Sequence, residues 1–263
     1  GYTASFILGR NLTFRARKLL QWLNVPQEEI ERINLERLKH KSIEGLLGER
    51  QQISNVLQNI EFEDRDLPAD TQPLSDTAQE YLTQRGISLD YPFLSKTMPR
   101  PGIVIPFTHN NQVVGHTTRF LDDRTPKYIQ DIQHGYVFGT DLQRPNWQSA
   151  IVVEGVFDAL CINGLAVLHA EINDAQVKLI RSLGKEIIVV PDQDEAGIKL
   201  VDRAIELGWA VSMPTWPADV KDVNDAVIKF GRLGTLLTIM QARETSKIKI
   251  ELRKKQLVKR LRT

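Results

Sequence analysis

The amino-acid sequence predicts an α/β protein with a mostly parallel sheet in its second half. From residue 150 onward, short apolar runs alternate with amphipathic segments of helical length. Strands that alternate with helices are joined by right-handed crossovers and lie parallel in one sheet. The predicted strands are Ile151–Val153, Ala166–Leu168, Ile187–Val190 and Trp209–Met213. The predicted helices are one that begins near Phe157, then Asp174–Leu183, Glu195–Leu207 and Val223–Phe230.

A different pattern precedes residue 150. Ile103–Phe107 and Val113–Phe120 are predicted strands joined by the turn-forming pair Asn110-Asn111. A short helix is expected to begin at Ser75 or Asp76 and to end near Gly86. Residues 60–76 are acidic, contain two prolines and lack periodicity, so a linker or an exposed loop is predicted there.

Residues 1 to about 58 have a helical pattern. A first helix is expected to stop at Asn24 and Pro26, a second to begin at Glu28, and a third to begin at Ser42. The predicted organisation is therefore an N-terminal helical segment (1–60), a basic α/β lobe with its linker (61–145), a parallel-sheet domain (146–232) and a basic C-terminal helix (233–263).

Composition excludes several classes of protein. No run approaches the roughly eighteen apolar residues of a membrane span, and the first residues lack the pattern of a secretory signal. The only cysteine, Cys161, excludes an internal disulfide and a cysteine-rich zinc site within this sequence. A reducing, cytoplasmic location is the resulting expectation.

The net charge of +1 is unevenly distributed. Residues 243–263 contain nine Lys or Arg and two Glu, a charge of +7, which leaves −6 on the rest of the chain. Such a segment is either a solvated helix or a surface that attracts phosphates, and the sequence does not separate the two.

Acidic residues follow three of the predicted strands. Ligands of open α/β sheets bind at the carboxyl ends of the strands, so these side chains are expected to meet at one edge. The acids are Glu154 and Asp158 after the first strand, Asp192 and Asp194 after the third, and Asp222 and Asp225 beyond the fourth, where the amide of Asn224 joins them.

Carboxylates that converge repel one another unless cations are present. Hard oxygen ligands favour Mg²⁺ or Mn²⁺, so a site for one to three such ions is predicted, in which they activate a hydroxyl and stabilise a leaving phosphate. The alternatives are structural: Asp225 could cap a helix and Asp222 could be a turn residue. The pair Asp192 and Asp194 alone could equally hold a single metal, as in receiver-type domains.

Three of these segments together resemble the TOPRIM domain of bacterial-type primases, topoisomerases and some nucleases. They are IVVEGVFDAL (151–160), VVPDQDEAG (189–197) and KDVNDAV (221–227). The resemblance implies a Rossmann-like sheet with Glu154, Asp192 and Asp194 as the catalytic residues. It adds Asp158, Asp222, Asn224 and Asp225 as further metal ligands, although Asn224 stands where many relatives have Asp.

The upstream segment IVIPFTHNNQVVGHTTRFLDDRTPKYIQ (103–130) resembles the basic lobe of bacterial-type primases. So do the helix AQEYLTQRGI (78–87) and the aromatic-glycine turn at 136–139. In those primases an Arg after the second strand and a Lys in a Thr-Pro-Lys-Tyr segment contact nucleic acid. The resemblance therefore implies that Arg119, Lys127 and Tyr128 bind template or nucleotide.

The KDVND form of the third motif and the basic end resemble the stand-alone primases of T-even-like bacteriophages. Those primases carry an upstream zinc ribbon, which this sequence lacks, so the chain is interpreted as a fragment, with a natural ribbon-free protein as the alternative. The implied function is RNA primer synthesis on single-stranded DNA from ribonucleoside triphosphates, with a separate replicative helicase as partner. No Gly-Lys-Ser/Thr phosphate loop indicates a fused helicase motor.

Two other functions fit part of the pattern. A TOPRIM nuclease needs the same carboxylates and no tyrosine nucleophile, whereas a topoisomerase needs a tyrosine carried by a second large domain. A non-catalytic DNA-binding module of the same fold need not keep all the carboxylates. The complete acidic set and the basic lobe favour the primase interpretation over both.

Overall fold

The computed structural model describes residues 14–32, 60–169 and 171–261. Helix α1 spans Phe14–Trp22, and residues 27–32 are also helical. The predicted interruption at Asn24 and Pro26 is confirmed, because Asn24 has a positive φ of 57°. Leu20 and Ile30 pack together against Leu237 of a later helix. The helix predicted from Ser42 lies outside the described residues.

The first sheet contains five antiparallel strands that neighbour one another in chain order. They are β1 (Thr71–Pro73), β2 (Leu94–Lys96), β3 (Gly102–His109), β4 (Gln112–Phe120) and β5 (Tyr128–Asp131). The predicted turn between β3 and β4 is confirmed: Asn110 and Asn111 have φ values of 52° and 64°. A two-residue turn with positive φ at both positions matches the twist of a hairpin.

The prediction of a linker or exposed loop at residues 60–76 is wrong in part. Its end forms β1, which pairs with β2, and Phe62 packs against the main core. Pro73 is tolerated because β1 is an edge strand. Strands β2 and β5 were not predicted, since LSK and YIQD are short, polar and without a clear alternation of apolar residues.

Helix α2 (Asp76–Gln84) begins as predicted, with the Ser75 hydroxyl accepting a hydrogen bond from the Ala78 N–H at 3.4 Å. Its inward residues Ala78 and Leu82 are completely buried. They belong to the same apolar core as Ile103 and Ile105 of β3. The helix therefore holds one face of the first sheet in the main core.

The second sheet has the strand order β10-β9-β8-β6-β7. Its strands are β6 (Ser149–Val153), β7 (Leu165–Ala166), β8 (Glu186–Val189), β9 (Ala210–Ser212) and β10 (Arg243–Glu244). The first four are parallel, as predicted, and β10 runs antiparallel to β9 at the edge. The helices that follow β6 to β10 are α3 (Val156–Ile162), α4 (Asp174–Ser182), α5 (Glu195–Leu207), α6 (Val223–Ala242) and α7 (Lys247–Leu261).

Alternating residues of each central strand enter two different cores. Ile151 and Val153 of β6 face α3 and α6 in a core that also contains residues of the first sheet. Ala150 and Val152 face α4 and α5 in a second core on the other side. The two sheets therefore share the first core, which fixes the edge of the second sheet beside the first.

The chain beyond residue 230 departs from the prediction. The final helix was expected at Val223–Phe230, but helical structure resumes after a break at Gly231, where φ is 72°, and continues to residue 242. The basic segment that follows begins as β10 and then forms α7, whose Ile250 and Leu257 are buried. This segment is part of the packed fold and is not simply a solvated helix.

In the described ranges, no helix is both long and apolar enough to cross a membrane.

Replacing Leu82 by Ala is expected to destabilise the protein strongly. The side chain is completely buried where α2 meets the main core, and such truncations cost about 2–5 kcal/mol. Urea unfolding followed by circular dichroism measures the loss. Leu89→Ala is the matched control, because Leu89 is 42% exposed and its truncation should change stability by less than about 0.5 kcal/mol. Equal losses in the two variants would contradict the described packing.

Candidate metal centre and nucleic-acid interface

The parallel strands deliver carboxylates to one edge of the second sheet. Glu154 follows the last residue of β6, and Asp158 lies in the first turn of α3. Asp192 and Asp194 follow β8, and Asp222 precedes the first residue of α6. These side chains interact electrostatically as one cluster, because burial raises the pKa of Asp192 and the charges on Asp158, Glu154, Asp222 and Asp194 raise it further.

Glu154 and Asp192 form the part of the cluster with unused oxygens. Burial raises the pKa of Glu154 to about 7, the charge on Asp194 adds to this, and a hydrogen bond from the Asp192 backbone N–H opposes it. One carboxylate oxygen of each residue, Glu154 Oε1 and Asp192 Oδ1, is buried and has no hydrogen-bond partner. A buried carboxylate oxygen without a partner is costly, so a ligand that contacts it would stabilise the site.

Asp158 and Asp222 form a second part, in which one oxygen of each carboxylate accepts a hydrogen bond. Burial raises the pKa of Asp158, as does the charge on Asp222, whereas the Asn224 N–H, which donates to Asp158 Oδ1 at 2.8 Å, lowers it. Burial likewise raises the pKa of Asp222, which accepts a hydrogen bond from the Asp225 N–H at 2.7 Å. Both carboxylates are therefore held by the amino-terminal turn of α6.

Two of the acids cap helices. Asp222 caps α6, and Asp194, which is exposed, caps α5 by accepting from the Gly197 N–H at 2.9 Å. Asp225 was a candidate cap, but its Oδ2 accepts from the Lys221 N–H at 3.1 Å instead. Gly197 permits the close approach of α5 to the cluster, because a Cβ there would lie 2.1 Å from the Asp192 carbonyl oxygen.

The cluster does not form a complete ion cage. Across residues 14–32, 60–169 and 171–261, no group of three or more His, Cys, Asp or Glu side chains could hold a metal ion in the positions they occupy. Mg²⁺, however, keeps several waters and is commonly bound by one or two protein carboxylates together with substrate phosphates. The unpartnered oxygens of Glu154 and Asp192 fit that requirement.

A basic and aromatic surface adjoins the carboxylate edge. The Arg119 guanidinium lies over the Tyr128 ring at 4.7 Å, and its Nε donates to the Tyr81 hydroxyl at 3.2 Å. The rings of Tyr128 and Tyr81 contact that of Phe157, with centroids 6.4 and 6.2 Å away. Phe157 precedes Asp158 in α3, so these contacts bring Arg119 and Tyr128 to the neighbourhood of the acids.

Lys127 occupies a less direct position. Its Nζ donates to the Asp122 carbonyl oxygen at 3.0 Å and pairs with the exposed Asp123 at 3.4 Å. These contacts lie within the loop between β4 and β5. Its neighbour Tyr128 is in β5 and its ring contacts Phe157, so the structure brings Tyr128 to helix α3 and leaves Lys127 beside its own loop.

Sequence reasoning missed Arg85, which follows the last residue of α2. Its guanidinium stacks on Tyr81 at 5.0 Å and on Phe157 at 5.4 Å. Its Nη1 donates to Asn224 Oδ1 at 2.9 Å, and its charge opposes the rise of the Asp158 and Asp222 pKa values. Arg85 lies in the helix segment used for the resemblance, but no charge pattern in that segment distinguishes it from other surface arginines.

Comparison with known proteins matches this region to one family. Residues 151–227 match the profile of a family described as Toprim-like. A DNA primase of Clostridium acetobutylicum is 27% identical over 152 residues, which cover 51% of this chain and 25% of that protein. A DNA primase of Synechococcus elongatus is 33% identical over 125 residues, which cover 40% of this chain and 18% of that protein. The chain thus spans a quarter or less of these relatives.

A solved structure shares the fold. The crystal structure of the zinc-binding and RNA polymerase domains of the Aquifex aeolicus primase aligns with a TM-score of 0.53 at 21% identity. The alignment covers 70% of this chain and 61% of that one. The likeness supports the mixed α/β architecture with two sheets described above.

Asp192→Asn is expected to stabilise the metal-free protein at pH 8. Because the pKa of Asp192 is raised in the folded state, its charged form costs stability as the pH rises above the ordinary value of 3.8. The neutral amide removes this cost, which should raise the melting temperature by about 3–9 °C, equivalent to ~1–3 kcal/mol in a protein of this size. Scanning calorimetry in EDTA measures the shift.

The advantage should disappear near pH 4, where Asp192 is protonated in the folded protein and carries no cost. Mg²⁺ should raise the melting temperature of the wild type more than that of the variant. Asp174→Asn, at a side chain that is 88% exposed, is the control and should show neither effect. A lower melting temperature for Asp192→Asn at pH 8 without metal would contradict the electrostatic account.

Proposed function

We propose that this chain contains the RNA-polymerising core of a DNA primase, a nucleotidyltransferase that makes short RNA primers on single-stranded DNA from ribonucleoside triphosphates. The similarity of residues 151–227 to the Toprim-like family and the primase relatives support this function. The observation that carries it is the position of the carboxylate cluster directly beside the surface formed by Arg119 and Tyr128.

In this proposal the buried oxygens of Glu154 and Asp192 hold Mg²⁺ or Mn²⁺, with Asp194 beside them. Asp158, Asp222 and Asp225 complete the acidic edge, where the sequence also suggests Asn224 as a ligand. The bound ions supply positive charge for the triphosphate of the incoming nucleotide. Glu154 is either a ligand of an ion or the acceptor of the proton of the attacking 3′-hydroxyl.

The basic and aromatic surface supplies the complementary interactions. Arg119 can pair with a phosphate, and the partly exposed ring of Tyr128 can stack on a base, which are the two contacts that single-stranded nucleic acid offers. Lys127 is placed to reach a phosphate from the loop beside β5. The template and the nucleotide would thus be held on the first sheet while the acids act from the second.

The resemblance suggests further partners and relatives. A separate replicative helicase would deliver the template, and the protein would work in the cytoplasm, that of a bacterial host if a phage encodes it. The KDVND motif favours kinship with stand-alone primases of T-even-like bacteriophages, in which a zinc ribbon precedes the core.

Asp192→Ala is expected to abolish primer synthesis on single-stranded DNA. Without this carboxylate the site should lose an ion that lowers the activation free energy by ~4 kcal/mol, which corresponds to about a thousandfold in rate. Incorporation of labelled ribonucleotides measures the activity, and circular dichroism checks that the fold remains. Asp174→Asn serves as the control and should retain wild-type activity.

Full activity in Asp192→Ala would refute the assigned role of the residue. Cleavage of labelled DNA by the wild type in Mn²⁺, without any incorporation of ribonucleotides, would contradict the primase proposal and favour a nuclease.

Single-stranded DNA binding is expected to depend on the exposed lysines of α7. Deleting this segment would remove buried Ile250 and Leu257, so exposed charges are better removed by substitution. Changing Lys247, Lys249, Lys255 and Lys259 together to Gln should reduce the slope of log affinity against log salt by about 2–3. Fluorescence anisotropy with a labelled oligonucleotide at several salt concentrations measures the slope.

The matched control changes Lys178 and Lys199, exposed lysines of α4 and α5, to Gln and should leave the slope nearly unchanged. An unchanged slope in the four-lysine variant would show that α7 does not bind DNA and would point to a protein contact.

A further inference from the structure

Both the oxygen and the nitrogen of the Asn224 side-chain amide form hydrogen bonds with Arg85. Its Oδ1 accepts a hydrogen bond from Arg85 Nη1 at 2.9 Å, and its Nδ2 donates to the Arg85 carbonyl oxygen at 2.7 Å. The residue is 1% exposed. An amide whose oxygen and nitrogen are both bonded in a buried site has a fixed orientation.

The backbone of Asn224 extends this connection to the carboxylates. Its N–H donates to Asp158 Oδ1 at 2.8 Å, and Asp222, two residues earlier, caps the same helix. Asn224 therefore joins three elements: the end of α2, the first turn of α3 and the start of α6. Any displacement of α2 would be transmitted to both of these carboxylates.

The Arg85 side chain also contacts two aromatic rings. Its guanidinium stacks on the rings of Tyr81 and Phe157, and Phe157 adjoins Asp158 in α3. The next residue, Gly86, has a φ of 66°, and a Cβ there would lie 3.2 Å from the Val227 side chain of α6. The end of α2 is thus packed closely against the helix that starts at the acidic edge.

We propose that Arg85 and Asn224 form a clasp that positions Asp158 and Asp222 within the carboxylate edge, and that Asn224 is a positioning residue and not a metal ligand. The inference rests on the proposed function in taking this edge to bind divalent ions. It assigns Asn224 a role that differs from the ligand role implied by the sequence resemblance.

The neutral amide is essential to the clasp. An Asp at this position could still accept from Arg85 Nη1, but its second oxygen would face the Arg85 carbonyl oxygen, where Nδ2 now donates. Two acceptors at that distance repel.

The two roles predict opposite effects of Asn224→Asp on ion binding. If Asn224 were a ligand, a carboxylate in its place should bind Mn²⁺ more tightly. The clasp predicts that binding weakens about tenfold, as for residues that orient metal-binding carboxylates. Electron paramagnetic resonance of free Mn²⁺, titrated into the full chain without nucleotide or DNA, measures the dissociation constant. Equal or tighter binding by the variant would overturn the proposal.

A second variant protects the test against misfolding. Arg85→Met keeps the apolar contacts and the carbonyl oxygen but removes the Nη1 donor and the charge, and should also weaken Mn²⁺ binding about tenfold. Arg85→Lys restores the charge without the planar donor and should recover only part of the affinity. Lys221→Met, which removes an exposed charge beside Asp222, is the control for general electrostatics and should change affinity less than twofold. Equal effects of Arg85→Met and Lys221→Met would overturn the clasp.

Coupling between the residues provides a final criterion. In a double-mutant cycle, Arg85→Met and Asn224→Asp together should weaken Mn²⁺ binding by much less than the product of their separate effects. Additive effects would contradict a shared clasp. These results are independent of primer synthesis: loss of activity in Asp192→Ala with additive effects here would sustain the proposed function and reject only the clasp.

Discussion

Four strands that run parallel must end at the same edge, and the residues that follow them are therefore forced together. In this protein those residues include Glu154, Asp192 and Asp222, with Asp158 one turn into α3. Burial raises their pKa values, and repulsion from neighbouring carboxylates raises them further. Much of the surrounding structure can be understood as a response to this concentration of buried negative charge, since an uncompensated buried carboxylate is strongly unfavourable.

Backbone N–H groups supply part of the compensation. The first turns of α5 and α6 direct N–H groups at Asp194, Asp222 and Asp158, where the positive end of a helix dipole stabilises anions. A side chain supplies the other part of the compensation. It is Arg85, which follows α2, the helix that packs against the first sheet. The shared apolar core is what holds α2 at this distance. The packing between the sheets therefore also determines where the positive charge of Arg85 lies relative to the acidic edge.

Local patterns in the sequence were sufficient to predict most of the second sheet. The apolar runs at 151–153 and 187–190 and the helix Glu195–Leu207 required only periodicity and turn signals, and the edge placement of the acids followed from parallel topology. Long-range contacts were not predictable in this way. Strand β1 exists because β2 lies beside it, and α6 continues past Gly231 because Leu236 and Ile239 find a core to fill. Arg85 is inconspicuous until the fold brings it to Asn224.

The bonding of the cluster separates its members into two groups. Asp158 and Asp222 each accept a hydrogen bond at Oδ1 from the start of α6, so an ion would have to compete with those donors for that oxygen. Glu154 and Asp192 each retain a buried oxygen without a partner, which an ion can occupy without breaking an existing bond. The free oxygens of Glu154 and Asp192 are therefore the first to be available to an ion, and Asp158 and Asp222 add their charge to the same edge. A division of this kind explains why the edge can contain more carboxylates than a single hydrated Mg²⁺ requires.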